Sequence, residues 1–341
     1  MNVYNTILTF NDIKVNFNYN IFINLKEDET TDEDIREIDK YINLEYGERK
    51  KLNTRIEMAY STFNFDKAEK LHHCWTRLEF YKRYGKTTEN RLKKDIRLVY
   101  ANSCKIRLCP ACAWRRSLKL FKINKQIFNY VKEKDKTAKY IFLTLTLKNC
   151  SSDELNKTID LLLNSFNKMT RRKCIKQAWR GYIRTLEVNY NEETNTYHPH
   201  LHILILVSKN YFNKGVYMTT KNYADLFAEI CEIDYTPVTY VETADKNSLA
   251  EVSKYCTKFS NIFKIQNKNT FNNVVKVLDS ALLNRRLVSY GFWFKEIKKE
   301  LNLSEEIEDK EEIEENLEEF GYKLIYKYYF GEGYKRKNIT G

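Results

Sequence analysis

No stretch of about 18 uncharged apolar residues occurs in this 341-residue chain, so a membrane-spanning helix is not expected. The N-terminus lacks a basic segment leading into an apolar core, which points away from a secretory signal and toward a cytoplasmic protein. No Gly-x-x-x-x-Gly-Lys-Ser/Thr loop is present, so no built-in nucleotide-driven motor is expected. No internal repeat is visible. A disulfide framework is not expected either, because the chain is long and four of its eight Cys have metal-like spacing; they read as thiols of a reducing compartment. Histidine is scarce, with five in the chain. Three of the five fall in Tyr197-His198-Pro199-His200-Leu201-His202, directly ahead of the apolar β-formers 203–207.

The charge is one-sided. The formal net charge is +12 and the pI is near 9.1. Residues 304–319 hold ten acids and one Lys, a local charge of −9 that leaves +21 on the rest of the chain. Such a balance favours a polyanionic partner, and DNA or RNA is the first candidate.

The chain is long enough for more than one domain. Residues 1–60 carry little signal: a strand-like piece at 21–23 precedes an acidic run, 26–37, that reads as a solvated segment. Residues 138–149 are β-branched and aromatic with no breaker, and predict a strand. From Ser151 or Ser152 as cap, with Asp153 and Glu154 in the first turn, the spacing of Leu155, Ile159, Leu162, Leu163 and Phe166 predicts a helix. Residues 181–190 predict a second strand, joined by the polar turn 191–196 to the histidine strand as a hairpin. Helices are expected at 219–232, 246–260 and 282–303, and short strands at 237–241 and 322–330. The basic tail 334–337 is expected to be mobile. The order predicts an α+β fold: an antiparallel or mixed sheet with flanking helices over one face, plus a cysteine-rich module and a helical C-terminal region.

Alternate side chains of a strand share a face, so His200 and His202 would point the same way while Leu201 enters the core. Two imidazoles on one rigid surface can hold a divalent ion, and an ion that handles phosphate also wants an oxygen ligand. Glu187 is the best candidate, because the hairpin brings it alongside. The bland alternative is a strand with surface imidazoles in ordinary hydrogen bonds. His198 has the same parity but precedes Pro199, and its role stays open.

Cys104-Lys105-Ile106-Arg107-Leu108-Cys109-Pro110-Ala111-Cys112 has C-x4-C-x2-C spacing. A structural zinc needs a fourth ligand; Cys74 is the most plausible, with His72 and His73 beside it as rivals. Buried unligated thiols and a redox pair are the alternatives. Trp114-Arg115-Arg116 follows at once, so a zinc-pinned turn would present cations to a DNA backbone; Lys254 is a further candidate cation. Cys150, Cys174, Cys231 and Cys256 lack ligand spacing and read as core. In Glu251-Val252-Ser253-Lys254-Tyr255-Cys256-Thr257-Lys258, helical spacing would put Glu251, Tyr255 and Lys258 on one face. A phenol has an ordinary pKa of about 10 and needs activation to attack; a metal ion, a cation and a carboxylate together supply it.

These motifs, in this order, resemble the plasmid rolling-circle replication initiators with a single catalytic tyrosine, within the His-hydrophobe-His (HUH) endonuclease superfamily. Residues 142–146 match the first motif, 198–202 the second and 251–258 the tyrosine motif. Residues 104–116 match the cysteine-rich segment, and 284–291 resemble a late element. The resemblance covers roughly 70–300 and departs from the family pattern in the N-terminal extension and the acidic stretch. It implies that Tyr255 attacks an origin phosphodiester, leaving a 5′-phosphotyrosine and a free 3′-OH. It further implies that His200, His202 and Glu187 hold Mg²⁺ or Mn²⁺, that Glu251 activates water in the terminating step, and that Lys258 orients the phosphate. The domains would be an extension (1–60), a zinc-binding module (61–120), a nicking and strand-transfer domain (138–300), and an acidic helix with a basic tail (301–341). A host helicase and DNA polymerase would be partners. A transposase of the same superfamily, or a non-catalytic zinc-containing DNA-binding regulator, are the alternatives.

Overall fold

The computed structural model describes residues 32–83, 96–213, 215–254, 259–310 and 320–337. Nine strands run through the described residues: β1 (Arg77–Arg83), β2 (Ile96–Ala101), β3 (Tyr140–Thr146), β4 (Trp179–Asn191), β5 (Thr196–Val207), β6 (Thr239–Thr243), β7 (Val288–Phe292), β8 (Phe320–Tyr329) and β9 (Gly333–Lys337). They form two sheets, ordered β2-β1-β8-β9 and β6-β3-β5-β4-β7, with every neighbouring pair antiparallel. The fold is thus α+β, with antiparallel sheets flanked by helices. The chain divides into two compact units, residues 1–112 with 307–341 and residues 113–306. No helix among the described residues is long and apolar enough to cross a membrane.

In the first unit, helices Asp32–Ile42, Glu48–Tyr60 and Phe65–His73 accompany the four-stranded sheet. From Asp32 onward the run expected to be solvated is an amphipathic helix, because Ile38 and Ile42, one turn apart, are both fully buried. Tyr46, Trp75, Phe80 and Tyr326 pack as a ring cluster with centroids 5.1–5.8 Å apart. The tail expected to be mobile is instead strand β9, paired along β8. Its Tyr334 is buried; the Tyr334 amide donates to Asn43 Oδ1 at 2.7 Å, and its hydroxyl donates to the Trp75 carbonyl at 2.6 Å.

In the second unit β5 occupies the middle of the five-stranded sheet. Its segment 203–207 is buried at every position, so it lacks the in-out alternation of a one-sided sheet. Such a strand needs cover on both faces, and helices lie on both rather than on one. On one face Leu120, Ile123, Ile127 and Val131 of helix Pro110–Lys134, with Phe294 and Ile297 of helix Trp293–Glu300, pack on Phe142, Ile183, Leu204 and Leu206. On the other, helix Leu155–Met169 lies on β5, with Phe166 against Trp179 and Tyr182. That helix begins later than its Ser caps suggested: Ser151 bonds through its amide and hydroxyl to Glu154, in a turn ahead of the first helical residue.

The single helix expected over 282–303 is contradicted. Helix Lys268–Leu282 ends, β7 pairs with β4, and helix Trp293–Glu300 follows. Gly291 explains the close pairing: it lies opposite Tyr182, and a Cβ there would stand 1.9 Å from a Tyr182 ring carbon.

Candidate active site

The β4–β5 hairpin sets the site by register. Glu187 is opposite His200 and Thr185 is opposite His202; on the other side of β5, Thr144 faces His202 and Thr146 faces His200. Cross-strand partners share a face, so one surface of the sheet carries both imidazoles and the carboxylate. Their ligand atoms all lie within 4.8 Å of one another. Glu187 Oε2 is 3.7 Å from His200 Nε2 and 3.5 Å from His202 Nε2. These separations exceed a hydrogen bond. Donor atoms bound to one ion at about 2.1 Å stand about 3.0–3.4 Å apart, so small shifts would bring the three onto a common centre.

The tautomers suit an ion as well. His200 Nδ1 donates to the His198 carbonyl at 3.2 Å, which leaves the Nε2 lone pair toward Glu187. His202 Nδ1 lies 3.2 Å from the Thr144 hydroxyl, and its buried Nε2 makes no hydrogen bond among the described residues. A buried imidazole nitrogen aimed at a carboxylate and a second imidazole is the donor set of a divalent-ion site. Burial pushes the Glu187 carboxyl up, but His200 and His202 outweigh it and hold it below the usual carboxylate range. His198 stands apart from the group: its Nδ1 is 2.7 Å from Asn149 Oδ1, and burial together with His200 pushes its imidazole down.

Glu251 joins this group from helix Lys246–Glu251. Its Oε1 is 3.8 Å from His202 Nε2, and its Oε2 pairs with Lys254. The helix expected over 246–260 stops at Glu251. Buried side chains take the backbone and hydroxyl groups that follow: Thr185 donates to the Val252 carbonyl at 2.8 Å, and Ser253 donates to the Leu249 carbonyl at 2.7 Å. Asn124, fully buried in helix Pro110–Lys134, donates to Ser253 Oγ at 2.9 Å and accepts from the Tyr290 hydroxyl at 2.8 Å. The helix thus does not run on through the described residues 252–254. Tyr255, Cys256 and Lys258 lie outside the described residues. Asn124 and Thr185 escaped the sequence reading, and Thr144 and Ser253 entered it only as members of matched motifs. The one available signal was a polar residue, Asn124, set in the apolar stripe of Leu120, Ile123, Ile127 and Val131.

In the first unit four thiols converge. Cys74 Sγ is 3.6 Å from both Cys109 Sγ and Cys112 Sγ, and Cys104 Sγ is 3.7 Å from Cys112 Sγ. Ligands on a tetrahedral zinc with bonds of about 2.3 Å stand about 3.8 Å apart, so the donor set fits that ion. The Cys104 amide donates to Cys74 Sγ and the Cys112 amide to Cys109 Sγ, as thiolates at a metal require. Cys74 completes the four, whereas His72 turns away, 2.9 Å from Glu57 and stacked on Phe330. His73 packs edge-on against His72. Lys50, fully buried, donates to the carbonyls of Leu71 and His72 and so caps the helix that ends just before Cys74. Burial pushes its ammonium down, while Cys74 and the other nearby acidic groups counter that shift.

Other expected residues fall elsewhere. Arg115, three residues past Cys112, is 4% exposed, and Arg116 is half-buried. Lys254 is occupied by Glu251. Cys150 and Cys231 are buried, but Cys174 is exposed, since Ile175 and Ala178 fill the inner side of its short helix.

A family model described as replication protein matches residues 95–335. Among curated proteins, a "Protein rep" of Bacillus amyloliquefaciens is 36% identical over 260 residues, 70% of this chain and 74% of its own. A "Protein rep" of Bacillus sp is 37% identical over 263 residues, 70% and 82% of the two chains. One of Streptococcus pneumoniae serotype 2 is 32% identical over 266 residues, 75% and 79%. No solved structure matches.

Proposed function

The chain belongs to the replication protein family, and on that premise we propose that it starts rolling-circle replication of a plasmid by nicking one strand of the origin. The observation that carries this reading is the convergence of Glu187, His200 and His202 on one sheet face, with Glu251, four residues before Tyr255 in the chain, reaching His202 from the end of a neighbouring helix.

In this reading the Tyr255 phenol loses its proton and its oxygen bonds to phosphorus. The bond from phosphorus to the 3′ oxygen breaks, and that oxygen takes up a proton. The products are a 5′-phosphotyrosine and a 3′-OH that primes synthesis. The phosphodiester bond energy is retained in the protein linkage, so rejoining needs no nucleotide, in keeping with the missing phosphate-binding loop. Glu187, His200 and His202 would hold Mg²⁺ or Mn²⁺, which when bound supplies charge stabilisation to the phosphoryl oxygens. Lys254, by holding one Glu251 oxygen, leaves the other directed toward His202, where Glu251 would activate water for the terminating cleavage. Lys258 would orient the phosphate. The four cysteines would hold a structural zinc, and a host helicase and polymerase would supply unwinding and synthesis. The family match favours this reading over a transposase or a non-catalytic regulator.

The test is Mn²⁺ binding by calorimetry alongside nicking of supercoiled plasmid carrying the DNA next to the gene. His202→Ala and Glu187→Gln should lose both while still binding duplex. Nicking by both variants at the parent rate would remove the group from the chemistry.

A further inference from the structure

We infer that Tyr240, on the edge of the five-stranded sheet, is a stacking platform for a base of single-stranded DNA beside the cleaved phosphate. The inference rests on the nicking function proposed above and extends it to how the strand is held.

Register places the ring. Tyr240 of β6 pairs with Thr144 of β3, which pairs with His202 of β5, which pairs with Thr185 of β4. Cross-strand partners point to one side, so Tyr240 stands on the face that bears His200, His202 and Glu187. Two strand spacings, about 10 Å, separate it from His202. At 65% exposure it is the most exposed large hydrophobic side chain of the second unit among the described residues. It makes no hydrogen bond or ring contact among them. Val238, the next most exposed at 56%, lies beside it; its carbonyl accepts from Thr146, the residue opposite His200. An apolar strip therefore starts two strands from the metal group and runs alongside it.

The occupant follows from chemistry. A flat ring left in water at a sheet edge accepts a nucleobase of any identity, which suits a strand whose bases have been unpaired. Paired bases in a duplex offer no free face to it. The charges flanking the strip orient the backbone. Glu242, exposed on the same face, repels phosphate at one end. At the other, Lys148 holds its ammonium 4.0 Å above the Tyr235 ring, just past the end of β3. A strand stacked on Tyr240 would thus run its phosphates past Val238 and Lys148 toward the histidines.

The experiment is fluorescence anisotropy of labelled oligothymidylate and of a labelled duplex, without metal, for the parent protein, Tyr240→Phe and Tyr240→Ala. Stacking contributes about 1–3 kcal/mol per base, so Tyr240→Ala should bind oligothymidylate about 5- to 140-fold more weakly. Tyr240→Phe should match the parent, and duplex affinity should be the same in all three. Unchanged oligothymidylate binding by Tyr240→Ala overturns the inference. So does a Tyr240→Phe protein as weak as the Ala variant, because the hydroxyl would then be the contact. An equal loss on duplex overturns it too. Adduct formation by the parent protein with Mn²⁺ is read separately, so failure of the nicking reading is not confused with failure of the platform.

Discussion

Replacing Asn124 with Ala tests whether a buried polar clasp holds the turn between Glu251 and Tyr255. The Asn124 side chain has no solvent exposure, accepts from Tyr290 and donates to Ser253. Its removal strands the buried Tyr290 hydroxyl, at about 1–3 kcal/mol, and deletes the bond to Ser253, at about 0.5–1.5 kcal/mol. Ser253 keeps the Leu249 carbonyl as acceptor, so its share falls at the low end. The sum is about 1.5–3.5 kcal/mol. Tyr290→Phe alone strands Asn124 Oδ1 at a similar cost of about 1–3 kcal/mol. The double variant strands neither group and should be more stable than the sum of the single losses by about 1–2 kcal/mol. Amide exchange of β4 and β5 reads the unfolding free energy of this unit directly. Strictly additive losses refute the clasp. Because Ser253 lies two residues before Tyr255, adduct formation by Asn124→Ala should also slow while duplex affinity holds.

Three further outcomes are expected. Cys109→Ser should lose bound zinc by elemental analysis and lower the melting temperature; full zinc retention contradicts the four-thiol site. Gly291→Ala drives a methyl into the Tyr182 ring and should cost about 1–3 kcal/mol, part of which a second change, Tyr182→Leu, restores; a stable Gly291→Ala single variant contradicts the close approach. The third concerns acid stability. The Thr137 hydroxyl first, and Arg180 next, hold the Asp135 carboxyl down to about 2. A lowered carboxyl stabilises the fold above its unfolded value of about 3.9 and loses that contribution as pH falls toward 2. Asp135→Asn should therefore lose as much stability at about pH 5 as at about pH 7, and match the parent near the acid end. A stability gap that persists at the acid end contradicts the pairing.

The central hairpin was legible because the signals in it are local: an unbroken apolar run, a polar turn, and histidines two apart. Those fix strand, pairing and face together, and Glu187 follows from the register. The cysteine group was legible for a related reason, since Cys109 and Cys112 are near neighbours, although only the fold separates Cys74 from His72 and His73. What escaped depends on distant partners. The helices of residues 32–60 bury Lys50 and Asn53 against the carbonyl of Leu71, and no periodicity marks a lysine as interior. Strand β7 hid within a helical pattern because its pairing with β4 lies about a hundred residues away. The helix end at Glu251 is set by Thr185 and Asn124 from two other elements. The burial of Arg115 was not legible because charge predicts exposure only where a helix face is free.

The most direct measurement is made on the full chain with Mn²⁺ and supercoiled plasmid bearing the adjacent DNA. The covalent protein–DNA species is isolated under denaturing conditions and digested, and the modified peptide is sequenced by mass spectrometry. The account predicts one phosphorylated side chain, Tyr255, and none in Tyr255→Phe. A phosphate mapped to another tyrosine, or cleavage with no covalent species at all, contradicts it.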